Sequence, residues 1–204
     1  MELAALIAAV PSIAKLANEA LSAVGRVRSN LAARNDSAKE QATEALNGLT
    51  ESLKHAGVLA EWAEKYFSAY AGIQNLVHRC LRARALLADA QDTLSEGSEA
   101  RHDVKWNEFR QEFDRIDEDA TLSRQIILNQ MEYYDERDRD RCELLVSEFD
   151  KQYSAAEAHV SSESVERIPQ HLDDMTGKLR LLEDLFRHSL QEKILHGLTR
   201  LKGV

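Results

Sequence analysis

Four side chains near the C-terminus have residue types and a spacing that suit metal binding. Asp184, His188, Glu192 and His196 lie four residues apart in a region with helical patterning, so they share one helical face. Two imidazoles and two carboxylates are a ligand set that zinc accepts. The four residues span three turns, about 18 Å, which is too long for one ion. We therefore interpret them as a solvated face, with His188 and Glu192 as the alternative partial site, and we predict no bound metal.

A second arrangement, Glu99-Ala-Arg-His102, has the spacing of the Glu-x-x-His motif of di-iron bundles. That motif acts in two copies, and the sequence contains one. Nor does the sequence contain a Gly-rich phosphate loop, a Cys-x-x-Cys pair or a serine nucleophile elbow. We predict a protein that is not an enzyme and has no cofactor.

Two groups of apolar residues are candidates for binding instead. The first is Trp106, Phe109 and Phe113, which form either the core of a helical hairpin or an exposed aromatic patch for a protein partner. The second lies in an N-terminal segment that is apolar on every side and contains alanines at small-xxx-small spacing. We assign to it a possible role in membrane contact or self-association; its residues are Leu3, Leu6, Ile7 and Val10.

The charge composition of the chain bears on nucleic-acid binding. The chain of 204 residues carries 26 basic and 35 acidic side chains, a net charge of -9. This balance argues against general nucleic-acid binding, because phosphate backbones attract basic surfaces. The densest local basic patch is Arg79, Arg82 and Arg84.

The cysteines and the N-terminus bear on location. Cys80 and Cys142 lie inside helical patterns, which favours two buried free thiols in a reducing compartment. The uncharged run from Leu3 to Ala14 is shorter than the roughly 20 residues that cross a bilayer, and no basic segment precedes it. We expect a cytoplasmic protein.

The elements that position these residues are all helices. Apolar residues recur at 3,4 spacing, only two prolines and eight glycines interrupt them, and period-two alternation is not sustained anywhere. A stripe in one register runs from Ala38 to Leu94, with Gly57 as a site of continuous helix or mild bend. The predicted helices cover about 2–34, 37–96, 100–160 and 168–198.

The charged run from Asp135 to Arg141 interrupts the third of these helices. Opposite charges lie three and four residues apart in it, which supports an exposed helix by about 0.2–0.5 kcal/mol per pair. We interpret the run as solvated helix where the apolar stripe changes phase, marking local unwinding or a change of partner.

Ser95–Ser98 is the clearest turn. Folding the two long helices there predicts a coiled-coil-like hairpin in which residue numbers rise along one helix as they fall along the other. The predicted architecture is an all-α, antiparallel four-to-five-helix bundle in a single domain, 1–204. Its 75–125 hairpin is predicted to project beyond a four-helix core.

These features favour a non-enzymatic scaffold that binds a protein partner through its helix faces or associates with itself through an alanine-rich stripe. The apolar opening helix followed by a helical bundle also resembles the membrane-attacking domains of the HeLo type, and the long hairpin is similar in outline to α-helical pore-forming toxins. That resemblance implies the alternative: a membrane-acting bundle whose first helix inserts after a switch. Lys15 and Glu19 oppose it, because their charges interrupt the apolar stretch.

Overall fold

The computed structural model describes residues 15–27, 38–130, 136–162 and 164–202. Helix α1 covers 15–27. The others are α2 (Ala38–Ser95), α3 (Glu99–Gln130), α4 (Glu136–Ser161) and α5 (Ile168–Lys202). The described residues outside helices form short turns, and none of them is in a strand. The predicted all-α class is confirmed.

The turn between α2 and α3 lies where the sequence predicts it. Gly97 adopts a positive φ of 75°, a conformation that glycine reaches without steric cost. The Gly97 and Ser98 amides donate to the carbonyls of Leu94 and Thr93, at 3.0 and 3.2 Å. The Ser98 carbonyl then accepts the amides of the first turn of α3, so the turn closes one helix and opens the next.

Helix α2 is one element of 58 residues. It continues through Gly57, whose backbone is helical, so the prediction of a helix unbroken at that residue is confirmed. Its C-terminal end, Ser95, falls within one residue of the predicted end at 96, and the residue predicted to begin it lies outside the described residues. A single apolar register over this length explains the continuity, because a phase change would have turned the stripe away from its neighbours.

The helix predicted over 100–160 consists of two elements. Helix α3 ends at Gln130 and α4 begins at Glu136; Asp135, the first residue of the charged run, lies outside the described residues. From Glu136 to Arg141 the chain is helical and mostly exposed. The solvated-helix interpretation is confirmed for these six residues.

The chain divides into two compact units, where the sequence led us to expect one domain. Unit 1 contains the described residues up to Phe67 together with those from Leu190 onward, and unit 2 is Ser68–Ser189. Helices α2 and α5 each contribute one part to each unit.

In unit 2 the α2–α3 hairpin packs against α4 and α5. The rings of Phe113 in α3 and Tyr153 in α4 stack with centroids 4.9 Å apart. Arg84 in α2 lies 3.5 Å from Asp173 in α5. Ile116, Leu172 and Met175 are fully buried in the same unit. The prediction that residues 75–125 project from the core is therefore wrong: they supply a large part of the core of unit 2.

Contacts between α2 and α3 follow the order that folding at the turn predicts. Gly72 meets Ser123, Asn75 meets Asp119, and the Ala90 carbonyl meets His102. The approach at Gly72 is close: a Cβ built there would lie 2.7 Å from the Ser123 Oγ. A glycine at this position lets the two backbones pack tightly.

Candidate functional site

The apolar stripe of α2 changes from buried to exposed within unit 1. Ala60, Ala63, Tyr66 and Phe67 are buried. One to four turns earlier the stripe continues with the same spacing, but Ala45 and Leu49 are exposed and Ser52 and Ala56 are only half-buried. Leu49 is 48% exposed. We call this segment the open stripe; it consists of Ala45, Leu49, Ser52 and Ala56, flanked by half-buried Leu46 and Leu53.

Hydroxyl groups in the open stripe and beside it make hydrogen bonds within the helix. Thr50 Oγ1 donates to the Leu46 carbonyl at 2.6 Å, and Ser52 Oγ donates to the Gly48 carbonyl at 3.0 Å. Covering these side chains therefore leaves no hydroxyl without a hydrogen bond, which lowers the cost of burying the surface. Two small alanines beside one leucine also allow another helix to approach closely.

Other large apolar side chains of unit 1 are exposed. In α1, Leu16 and Val27 are exposed while Ala17 and Val24 are buried. In α2, Val58 is 61% exposed. Single exposed apolar residues are ordinary on protein surfaces. The open stripe differs from them because it continues a buried stripe in the same register.

The basic patch of α2 is used inside unit 2. Glu112 in α3 is buried, and Arg79 Nη1 donates to its Oε1 at 2.9 Å. Arg82 and Arg115 lie 3.6 and 3.4 Å from its Oε2. Arg79 Nε also donates to Asp119 at 2.9 Å. The bond to Glu112, followed by the bond to Asp119, raises the pKa of Arg79 above its usual range.

A second polar group joins α2 to α5. Glu183 Oε1 accepts from Tyr70 Oη at 2.9 Å, from Gln74 Nε2 at 3.1 Å and from Arg187 Nη2 at 3.2 Å. Partial burial opposes ionisation of this carboxylate. The hydrogen bonds and the Arg187 charge outweigh that effect and lower the pKa of Glu183 below its ordinary value. The hydrogen bonds to Glu112 fix the register of α2 with α3, and those to Glu183 fix the register of α2 with α5.

The two cysteines are free and buried, as predicted. Burial raises the pKa of each thiol to about 12. A thiol with such a pKa is almost entirely protonated at neutral pH and is a poor nucleophile. Neither cysteine is a candidate for catalysis.

A small cavity lies among the four helices of unit 2. Its volume is about 20 Å³, and Leu76, Ala120, Ile127, Leu145 and Leu179 are among the side chains that line it. This volume suits one water molecule and falls far below that of a small-molecule site. We assign it no ligand.

The residues that the sequence singled out have mixed outcomes. Trp106 is 8% exposed, and Phe109 and Phe113 are more deeply buried. They form a row of ring contacts with centroids 5.2 and 5.9 Å apart, so the core interpretation is confirmed and the exposed aromatic patch is not present. Leu3, Leu6, Ile7 and Val10 lie outside the described residues.

The two patterns that the sequence analysis compared with metal motifs are described in part. His102 Nδ1 lies 2.8 Å from the Ala90 carbonyl, and its ring stacks on Trp106. Asp184 and His188 are exposed, and the side chains of Glu192 and His196 lie outside the described residues. Within the described ranges, no group of three or more metal-ligating side chains comes together. The helices of the same ranges contain no segment long and apolar enough to cross a membrane.

Sequence reasoning identified the open stripe as helix-packing surface but missed that part of it is uncovered. It also missed Glu112, although the Arg79–Arg84 patch was visible. A signal was available: Glu112 lies three residues after Phe109 and four before Ile116, on the flank of an apolar face. Comparison with protein-family models, with curated proteins and with solved structures finds no match to this chain.

Proposed function

We propose that the protein is a non-enzymatic interaction module whose open stripe binds an α-helix of a protein partner. The observation that carries this proposal is the change in burial along one stripe of α2. From Ala60 to Phe67 the described residues of the stripe are buried, whereas Ala45 and Leu49 are exposed and Ser52 and Ala56 are half-buried. A partner helix extends the same packing by the same spacing of residues.

The proposed binding mode is an amphipathic helix in an apolar groove. Leu49 is the central anchor, with Leu46 and Leu53 on one side of it. Burying a leucine contributes about 1.5–3 kcal/mol relative to leaving it exposed. The partner helix thus requires apolar residues at i, i+3, i+4 and i+7.

Unit 2 has a supporting role in this proposal. We propose that its four helices form an antiparallel bundle held in register by Glu112 and Glu183. Helix α2 continues from this unit to the open stripe, so a rigid unit 2 keeps half of the binding helix folded. An isolated helix without such support is only marginally stable in water.

Affinity capture from the native host tests the function. Wild-type chain and Leu49→Asp are used as baits, with Leu122→Asp as the matched control. Leu122 is an exposed leucine of α3 in unit 2, 63% exposed. We expect a protein captured by wild type and by L122D but lost with L49D. Equal capture by all three baits would contradict the assignment of the open stripe, and capture of no protein would contradict the interaction function.

A further inference from the structure

The net charge of the chain is divided unequally between the two units. Unit 2, Ser68–Ser189, contains 16 basic and 26 acidic residues, whereas the rest of the chain contains 10 basic and 9 acidic residues. Like charges keep two copies of a protein apart, so self-association is opposed at unit 2. Unit 1 has almost no net charge, and it contains the open stripe. Two copies of this chain therefore meet at unit 1 without strong charge repulsion.

The open stripe has a spacing that is complementary to itself. Its four residues follow one another at intervals of 4, 3 and 4, which is the same interval pattern in either chain direction. When two such helices pair antiparallel, Leu49 of each copy faces Ser52 of the other, and Ala45 faces Ala56. A large side chain thus meets a small one at both central levels, and the alanines let the helices approach closely.

One flank of the stripe adds apolar contacts to this pairing. Leu46 and Leu53 lie on that flank, and both are half-buried in the single chain. Antiparallel pairing brings Leu46 of each copy beside Leu53 of the other. The contact covers apolar surface that the chain leaves accessible, which favours association.

The opposite flank carries unlike polar groups that the same pairing brings together. Glu44 and His55 lie on this flank and are exposed, with Gly48 between them. In the antiparallel register, His55 of one copy lies over Gly48 and beside Glu44 of the other. A carboxylate accepts a hydrogen bond from a neutral imidazole and attracts a protonated one. Beyond its own helix, no described atom lies within 4 Å of a Cβ built on Gly48, so the incoming ring has room.

We infer that the helix bound by the open stripe is α2 of a second copy of this chain. The two copies form an antiparallel dimer through unit 1, with the two-fold axis between Thr50 and Glu51. This inference rests on the proposed function, because it names the partner of the same surface. The same patch is used on both copies, so the contact closes with two chains and does not propagate into a filament.

Analytical ultracentrifugation of the purified full chain tests the dimer. Wild type is expected to show a monomer–dimer equilibrium. Leu49→Asp is expected to raise the dimer dissociation constant by about 100-fold or more, because each dimer loses two apolar anchors. The control Val58→Asp changes an exposed residue on the opposite side of α2, and it should change the constant by less than about 3-fold. Circular dichroism establishes that each variant is folded.

Thiol cross-linking tests the orientation of the two helices. Both native thiols are buried and almost entirely protonated, so they do not compete in the reaction. Ala45→Cys and Ala56→Cys chains are mixed and treated with a short bismaleimide. An antiparallel dimer joins one variant to the other and joins neither efficiently to itself. Products that join each variant mainly to itself would overturn the antiparallel register.

A charge exchange tests the contact between Glu44 and His55. Glu44→Lys is expected to weaken the dimer by roughly 3-fold or more, because it removes both copies of this contact. Adding His55→Glu to the same chain should restore part of the loss. An equal loss in the single and double variants would show that the two residues do not meet in this register.

Two results would overturn the dimer itself. One is wild-type protein that remains monomeric up to about 1 mM, and the other is folded Leu49→Asp that dimerises as well as wild type. Affinity capture separates this failure from failure of the proposed function. A different protein captured through Leu49 would keep the function of the open stripe and reject only the second copy as its partner.

Discussion

Glu112 Oε1 lies 2.9 Å from Arg79 Nη1, and the carboxylate side chain is only 2% exposed. The pair joins α3 to α2 in the interior of unit 2. Arg79 also bonds Asp119, about two turns further along the same face of α3. One guanidinium thus holds two carboxylates on the neighbouring helix, and sliding either helix by one turn breaks both bonds. This geometry fixes the register of the hairpin.

Removing the buried carboxylate should therefore destabilise the protein strongly. Glu112→Ala leaves Arg79, Arg82 and Arg115 close together without their shared counter-charge. We expect the free energy of unfolding to fall by about 1–3 kcal/mol, because buried hydrogen bonds are lost while the arginines left behind reach solvent and Arg79 keeps its bond to Asp119. Urea denaturation measures it. The control Glu118→Ala, at an exposed position of α3, should change stability by under about 0.5 kcal/mol.

Two helical glycines, one at the close approach of α2 to α3 and one in α5, are expected to respond to alanine in opposite ways. Gly72→Ala should destabilise the protein by about 1–3 kcal/mol, because its Cβ would lie 2.7 Å from the Ser123 Oγ. Gly177→Ala should instead stabilise it by roughly 0.5–1 kcal/mol, because no atom lies within 4 Å of its built Cβ and alanine favours the helix.

Ser123→Ala separates this clash from general effects of the substitution. It removes the contacted hydroxyl, so the double variant with Gly72→Ala should recover part of the lost stability. If Gly72→Ala stabilises the protein as much as Gly177→Ala does, α2 and α3 do not approach as described.

The hydrogen bonds to Glu183 predict a dependence of stability on acid pH. The folded-state pKa of this carboxyl is lowered, so the folded chain binds a proton less readily than the unfolded chain. The stabilisation is thus present above the unfolded pKa, about 4.3, and is lost as pH falls through the lower folded value. Glu183→Gln should be less stable than wild type at neutral pH, and the difference should shrink below about pH 4.

Urea midpoints of wild type and Glu183→Gln at several pH values measure this difference. Glu118→Gln is the control, because Glu118 is exposed. A stability difference that stays constant from neutral to acid pH would show that Glu183 is not stabilised as an anion.

The sequence predicts single helices and turns, and it does not predict how far neighbouring helices cover one another. The single register from Ala38 to Leu94 predicts an unbroken α2 and its C-terminal end within one residue, because a stripe of period 3.5 requires an unbroken helix. The turn at Gly97 follows from its residue types. The projecting hairpin was a wrong prediction because spacing shows which face is apolar and does not show how much of the face its neighbours cover.

The same limit applies to the sites. The spacing of Trp106, Phe109 and Phe113 is the same whether their side chains are buried or exposed. Only the structure shows that they are buried. Glu112 and its arginines meet across two helices, so their encounter depends on packing angles that no single-helix pattern contains.

The open stripe is the central claim, and the affinity of the captured partner for Leu49→Asp tests it most directly. Fluorescence anisotropy of the labelled partner helix measures Kd for wild type, for L49D and for the control L122D. A central apolar anchor contributes at least about 2 kcal/mol to binding, so we expect L49D to raise Kd by about 30-fold or more, and L122D to change it by less than about 3-fold. Equal Kd values for L49D and wild type, with L49D folded by circular dichroism, would contradict the account.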